Sequence, residues 1–313
     1  MAGAVAAIAL SGSAWAQYSK VVMFGDSMSD THRWYDFLKA TTGRGAPDAP
    51  SMPGRFSNGK VCSENLAEML NAPLQNYSFS GATSGYRTLV VLPMGVLTQV
   101  NEYLNDNSVV PTITTVPLLS DVLNLVTGPG KADPKALHVI WTGPDDYYFL
   151  GGYNVMTAYS ATANIQQAIT SLYKAGARYF FVPTMPDLSI TPSARYNHEP
   201  KEPGYMERAA KYSEQFRQVL NTGLATMRTR YPEAKIMSFD TIAFTNEVLP
   251  KLEAQGFNIH DSCQKGGGFF PGAEKPTACD TPDQYVFWDQ NHLTAVANKM
   301  LADAWFKAIV YKP

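Results

Sequence analysis

The sequence predicts an α/β fold in which a central parallel β-sheet of about five strands is covered by helices on both faces. Five short apolar runs recur along the chain, and segments with helical spacing of apolar residues lie between several of them. This alternation is typical of a doubly wound sheet. At 313 residues, with 45% hydrophobic and 17% charged residues, the chain is long enough to form one large domain with a substantial core.

The strands and helices are predicted in order along the chain. The apolar runs that indicate strands are residues 21–24, 74–79, 138–142, 179–183 and 236–239. One helical stripe ends before Gly176 and a second lies near residues 216–227. The last helix is expected over 294–310, because Thr294 is a suitable N-cap for the apolar residues Val296, Met300, Leu301, Trp305 and Ile309.

The first sixteen residues are small and apolar, and Ala14-Trp15-Ala16 fits the small-x-small rule for signal cleavage. We therefore expect a signal peptide over 1–16, a single domain over 17–313 and an exported protein, periplasmic or secreted. A basic n-region is missing from this segment. An upstream start and an ordinary disordered N-terminus are the alternative interpretations.

The overall charge gives no reason to expect nucleic acid as a partner. The formal net charge is −2, and there is no concentrated run of lysine and arginine. After residue 16 no apolar stretch reaches the roughly 20 residues that span a bilayer, so we expect a soluble mature protein. No oligomeric state is indicated.

The chain has three cysteines, Cys62, Cys263 and Cys279. In an exported protein, Cys263 and Cys279 could close the glycine-rich and proline-rich loop between them, which would contribute about 3 kcal/mol in the chain-entropy model. Two unpaired thiols are the alternative. Cys62 is expected to be a buried free cysteine.

The first candidate catalytic segment is Gly25-Asp26-Ser27, which directly follows the first predicted strand. A parallel sheet presents ligand-binding groups beyond the carboxyl ends of its strands, so Ser27 is a candidate nucleophile. A serine hydroxyl needs a base and a group that orients the base. Asp289 and His292, three positions apart, can supply both, and together these residues indicate a serine hydrolase.

The tetrahedral intermediate of such a reaction also needs donors for its oxyanion. The backbone N–H of the Ser27 turn is one source. Gly81, after the second predicted strand, is the other candidate donor. The alternative role of Gly81 is a turn glycine that allows positive φ.

Four segments in this order resemble the sequence blocks of the SGNH (GDSL) family of esterases and lipases. They are Gly25-Asp26-Ser27, residues 76–85, Gly143-Pro144-Asp145-Asp146 and Asp289-Gln290-Asn291-His292. Residues 54–59 and 186–192 are similar to segments of its bacterial lipolytic branch. The resemblance implies a flavodoxin-like three-layer sandwich, the SGNH hydrolase fold, with Ser27 as nucleophile, His292 as base and Asp289 as its partner. It implies no metal or organic cofactor.

Asp145 departs from the pattern of that family, whose third block ends in Gly-x-Asn-Asp with an oxyanion donor on the asparagine amide. An ionised carboxylate at this position offers no proton, and the loss of one donor typically lowers turnover by about 10²–10³-fold. Three explanations stay open: burial beside Asp146 keeps Asp145 protonated, Asp145 is a variant of asparagine, or the enzyme is slow. Metal binding by Asp145 and Asp146 is a fourth. From the sequence we expect Asp145→Asn to raise activity at least about tenfold.

The predicted activity is hydrolysis of acyl esters through an acyl-enzyme. From the resemblance alone, the expected substrate is a phospholipid or lysophospholipid, with transient membrane-surface contact and possible acyl transfer. A short-chain, choline or carbohydrate acetyl esterase is an alternative, and a catalytically impaired binding protein is another. Aromatic residues beside the motifs are candidates for the substrate pocket, and the Cys263–Cys279 loop is a candidate lid; these aromatic residues are Trp34, Tyr35, Tyr147, Tyr148, Phe149 and Trp288.

Overall fold

A computed structural model of the chain describes residues 18–105, 131–149, 154–272 and 274–311. The predicted signal peptide, 1–16, lies outside the described residues. The central sheet has five parallel strands in the order β2-β1-β3-β4-β5. The predicted fold class is confirmed, and the strands are β1 (Val21–Gly25), β2 (Leu74–Asn76), β3 (Leu137–Trp141), β4 (Tyr179–Pro183) and β5 (Lys235–Phe239).

Helices connect these strands and cover both faces of the sheet. Those described are α1 (Arg33–Thr42), α2 (Cys62–Met69), α3 (Val96–Leu104), α4 (Pro144–Phe149), α5 (Val155–Lys174), α6 (Tyr205–Arg230), α7 (Thr241–Ala254) and α8 (Ala295–Val310). Short 3₁₀ turns occupy Leu188–Ile190 and Pro282–Gln284, and a π-helical segment occupies Ser193–His198. Thr294 caps α8 as predicted, since its side chain accepts a hydrogen bond from the backbone N–H of Ala297.

The inner strands β1, β3 and β4 consist mainly of buried apolar residues, whereas the edge strands β2 and β5 are only partly buried and include polar residues. Successive side chains of β1 point in opposite directions, so Val22 and Phe24 join the cluster beneath α3, α5 and α6, whereas Val21 and Met23 join the cluster beneath α2 and α8. All four side chains are fully buried. The two clusters fix the sheet between two helical layers, which is the three-layer arrangement expected for such a strand composition.

After α7 the chain forms two small strand pairs that are separate from the central sheet. Strands β6 (Asn258–Ser262) and β9 (Tyr285–Phe287) form a parallel pair, and β7 (Gln264–Lys265) and β8 (Thr277–Ala278) form an antiparallel pair. The Cys263–Cys279 disulfide joins the ends of this second pair, with an S–S distance of 2.04 Å. The predicted disulfide is therefore present, and Cys62 is a buried free cysteine as expected.

The helices in the described part of the chain include none that is both long enough and apolar enough to cross a membrane.

Candidate active site

Ser27 lies in the turn that follows β1. Hydrogen bonds fix the end of the strand, because the Gln99 side chain accepts from the backbone N–H of Gly25 and donates to its carbonyl, each at 2.9 Å. A side chain at Gly25 would put a Cβ atom 2.5 Å from the carbonyl oxygen of Trp141, so close strand packing requires glycine there. In the turn itself, the carboxylate of Asp26 accepts a hydrogen bond from the backbone N–H of Met28 at 3.0 Å.

Asp289 and His292 lie in the turn between β9 and α8. The carboxylate of Asp289 accepts hydrogen bonds from the backbone N–H groups of Asn291 and His292, at 2.9 and 2.8 Å, which hold it against the turn. The imidazole Nδ1 lies 2.8 and 2.9 Å from the two carboxylate oxygens. On its other side, Nε2 lies 2.7 Å from Oγ of Ser27. The Asp289 carboxylate favours a proton on Nδ1, which leaves Nε2 free to accept the hydrogen of the serine hydroxyl.

The environment keeps Asp289 ionised. Burial acts to raise the pKa of this carboxyl, but the attraction of His292 and the hydrogen bonds that the carboxyl accepts outweigh burial, and its pKa is lowered. The ring of Phe56 stacks on His292 with 4.7 Å between ring centres. The imidazole is therefore held in place by a carboxylate at Nδ1 and by an aromatic ring on its face.

The loop after β2 brings Gly81 beside Ser27. Asp30 connects the two loops, because its Oδ2 accepts hydrogen bonds from the backbone N–H and the hydroxyl of Ser80, at 2.8 and 2.9 Å. The backbone N–H groups of Arg33 and Trp34 also donate to this carboxylate. Gly81 has φ of +80°, so it meets the conformational requirement of a turn glycine and also lines the same cavity as Ser27.

Three buried carboxyl groups belong to this region: Asp26 and Asp145 line the cavity, and Asp146 follows Asp145 in the first turn of α4. Burial raises the pKa of Asp26 to about 7. Burial also raises the pKa of Asp146 to about 6, although the backbone N–H and hydroxyl of Ser84 donate to it at 2.9 and 2.7 Å. The pKa of Asp145 is raised well above its ordinary value, first by burial and then by repulsion from Asp26 and Asp146.

Two cavities meet at the Ser27–His292 pair. The first, which we call the Gly81 cavity, has a volume of about 600 Å³ and is lined by Gly81, Asp145 and Tyr148. The second, which we call the α7–α8 cavity, has a volume of about 870 Å³ and runs between those two helices. Six residues line both cavities: Ser27, Met28, Pro186, Thr191, Asn291 and His292.

The aromatic residues beside the sequence motifs differ in whether they line the Gly81 cavity or are buried in the core. Tyr148 lines the Gly81 cavity, whereas Tyr147 and Trp288 are buried. Trp34 is also buried and stacks on Phe269 of the disulfide loop, with 4.4 Å between ring centres. Phe269 lines the Gly81 cavity, so the loop reaches the site through a residue that the sequence analysis did not single out.

The structure thus brings together the predicted residues Ser27, Gly81, Asp145, Asp289 and His292. It adds side chains that were not predicted to belong to the site. These are Asp30, which follows Ser27 by three positions, and Phe56, which lies in the segment 54–59 that supported the family resemblance. Nothing in the sequence marks Gln99 as part of the site, because it is one of several polar residues in α3.

The known proteins that this chain resembles include esterases and lipases of one family. The sequence model described as GDSL-like lipase/acylhydrolase matches residues 21–305. A GDSL esterase/lipase of Arabidopsis thaliana is 23% identical over 334 residues, which cover 93% of this chain and 85% of the relative. Acetylajmalan esterase 2 of Rauvolfia serpentina is 24% identical over 320 residues, covering 90% and 88%.

A bacterial relative is similar to a comparable degree. The phosphatidylcholine-sterol acyltransferase of Aeromonas hydrophila is 25% identical over 290 residues, which cover 92% of this chain and 78% of the relative. The family match extends from the first residue of β1 to a residue within α8, and so includes the nucleophile turn and the Asp289–His292 turn. The chain therefore belongs to the GDSL-like lipase/acylhydrolase family, whose members are carboxylic ester hydrolases.

Proposed function

We propose that this protein hydrolyses acyl esters through an acyl-enzyme, with Ser27 as nucleophile, His292 as general base and Asp289 as the residue that orients His292. The observation that carries the proposal is the continuous hydrogen-bonded chain from Oγ of Ser27 to Nε2 of His292, and from Nδ1 of His292 to Asp289. This arrangement matches the chemical needs of an activated serine in distance and in order.

In the proposed reaction, Oγ of Ser27 attacks the ester carbonyl while Nε2 of His292 takes its proton. The tetrahedral intermediate then collapses, and the same proton passes to the oxygen of the leaving alcohol. Water repeats the sequence on the acyl-enzyme, which releases the carboxylic acid and restores Ser27. An alcohol in place of water would give acyl transfer.

For the oxyanion we propose the backbone N–H groups of Ser27 and Gly81 and the carboxyl of Asp145. An ionised Asp145 would repel the oxyanion, but a neutral carboxylic acid can donate a hydrogen bond. Burial beside Asp26 and Asp146 favours the neutral form. Among the explanations for this unusual residue, the structure supports retention of the proton.

Lipid acyl esters are the proposed substrates. The apolar wall of the α7–α8 cavity supports this choice, as does the similarity to a phosphatidylcholine-sterol acyltransferase. Similarity to an acetylajmalan esterase favours a second candidate, an esterase for short acyl groups. We also propose export of the protein, because disulfides persist in oxidising compartments.

The test combines labelling with turnover. A fluorophosphonate probe should modify wild-type protein at Ser27, and a panel of p-nitrophenyl esters should be hydrolysed. Ser27→Ala should abolish both, whereas Ser63→Ala, which changes a buried serine on α2, should retain both. Absence of labelling and turnover in the folded wild-type protein would instead support a binding protein on an esterase fold.

A further inference from the structure

We propose that the α7–α8 cavity is an acyl-chain site, and that Phe244, Val248 and Met300 at its outer end set the longest straight chain that it accepts. This inference rests on the proposed function, because the inner end of the cavity is the Ser27–His292 pair. It adds a location for the acyl group and a limit on its length.

The first observation is the position of the cavity between two hydrophobic clusters. One cluster belongs to the central sheet and includes Trp141 and Leu301; the other belongs to the β6–β9 unit and includes Leu252 and Val286. All four of these buried residues line the cavity. Protein interiors are close-packed, so a large apolar space between two clusters, open to a reactive serine, is expected to have an occupant.

The second observation concerns three polar residues of the wall, Thr241, Thr245 and Asn298, whose side chains form hydrogen bonds within the protein. The hydroxyl of Thr241 donates to the carbonyl of Thr184 at 2.6 Å, and the hydroxyl of Thr245 donates to the carbonyl of Thr241 at 3.0 Å. The side chain of Asn298 accepts from the backbone N–H of Cys62 and donates to the carbonyl of Leu293. Such a wall suits an alkyl chain, which needs no hydrogen bonds, better than a sugar or a charged head group.

The third observation distinguishes the two cavities. The Gly81 cavity is lined by Asp26 and Asp145, and also by Ser27 and Gly81, the proposed backbone donors to the oxyanion. It therefore suits the ester carbonyl and the alcohol part of the substrate. The α7–α8 cavity begins at the same serine and is lined mainly by apolar residues; the one carboxylate residue on its wall, Asp187, accepts a hydrogen bond from the backbone N–H of Ser189 at 2.8 Å. This cavity is therefore the better place for the apolar part of the acyl group.

The fourth observation identifies the outer end. On the surface, an open groove of about 1,030 Å³ also runs between α7 and α8 and is lined by residues that include Asp303 and Lys307. Phe244, Val248 and Met300 line both this groove and the α7–α8 cavity. These three side chains separate the two spaces, and their volume determines where an acyl chain must stop.

The experiment compares kcat/KM for soluble p-nitrophenyl esters from acetyl to decanoyl. Val248→Trp should lower the decanoyl-to-acetyl ratio at least about tenfold, because each methylene that loses its buried site removes a factor of about four. Met300→Ala removes part of the side-chain barrier between the α7–α8 cavity and the surface groove, and it should raise the same ratio. The two variants move the ratio in opposite directions, so general destabilisation cannot explain both results.

Ala243→Trp is the matched control, because it also introduces tryptophan into α7, at an exposed position outside both spaces. It should leave the ratio unchanged. An unchanged ratio in both Val248→Trp and Met300→Ala would overturn the inference, as would a shift of chain-length preference in Leu89→Trp, which narrows the Gly81 cavity instead. Failure of the wild-type protein to label at Ser27 would contradict the proposed function, which is a different result from a misplaced acyl site.

Discussion

Replacement of Asp145 by asparagine tests the protonation of the buried carboxyl cluster directly. Asparagine has nearly the same shape and cannot ionise. In the unfolded chain an aspartate releases its proton near pH 4, whereas burial and the neighbouring Asp26 and Asp146 raise the pKa of Asp145 in the folded protein. Between these two pKa values the folded state holds one proton more than the unfolded state.

The sign and size of the effect follow from proton linkage. Below about pH 4 the carboxyl is neutral in both states, and its full contribution to stability is present. Above that pH the wild-type protein loses about 1.4 kcal/mol of unfolding free energy per pH unit relative to Asp145→Asn, until the pH passes the native pKa. If Asp145 is neutral through pH 7, the stability difference should change by about 2.7 kcal/mol between pH 5 and pH 7 in favour of the variant.

The assay is urea denaturation of both proteins at pH 5, 6 and 7, with the disulfide intact. Asp283→Asn serves as the control, since it makes the same chemical change at an exposed position. A stability difference between Asp145→Asn and wild type that is constant over this range would refute the argument, because it would show that Asp145 is already ionised in the folded protein.

The same variant has a kinetic consequence. With a neutral Asp145, wild type and Asp145→Asn should have similar kcat/KM at neutral pH, in place of the at least tenfold gain expected from the sequence. At alkaline pH the wild-type activity should fall as Asp145 ionises, while Asp145→Asn should keep its activity. Asp145→Leu should lose about 10²–10³-fold at neutral pH, because it removes the donor altogether. A large gain for Asp145→Asn at neutral pH would support the alternative that Asp145 is an inhibitory variant.

Two further predictions concern the Asp289–His292 turn and the disulfide. Asp289→Asn should lower kcat by about 10⁴-fold, because an amide that donates to Nδ1 holds His292 in the wrong tautomer; a pH–rate profile of the variant measures this, and a loss below tenfold would contradict the orienting role. Replacing Cys263 and Cys279 together by serine should lower the free energy of unfolding by about 3 kcal/mol, measured by urea denaturation, because 15 residues lie in the closed loop. Equal stability of the double variant and wild type would contradict the loop-closure argument.

The parts of the fold that the sequence predicts well are those with strong local signals. The inner strands β1, β3 and β4 are mainly apolar because helices bury both faces of the sheet there, and the boundaries of β4 match the predicted run. The N-cap of α8 is predicted correctly because Thr294 bonds within its own turn. β2 is shorter than its predicted run, because the strand ends at Asn76 and residues 77–81 form a loop.

The features that were not predicted depend on contacts between distant segments. β6 contains Asn258, His260 and Asp261, so it lacks the apolar pattern of a strand and forms only by pairing with β9. The α7–α8 cavity has no sequence signature, because its walls come from residues far apart in the chain, on α7 and α8 and also on β3 and β9. The raised pKa of Asp145 is likewise a tertiary property, because it is caused first by burial in the folded chain and then by repulsion from Asp26 and Asp146.

The hydrogen bond between Ser27 and His292 joins the turn after the first strand to the turn before the last helix. The serine depends on the central sheet for its position, whereas the imidazole depends on β9, which pairs with β6 outside that sheet. On the proposed mechanism, reactivity of Ser27 towards a fluorophosphonate requires both parts to be in place. During refolding, the rate at which labelling of Ser27 returns would therefore report when the C-terminal segment docks. It would do so separately from probes of the formation of the sheet.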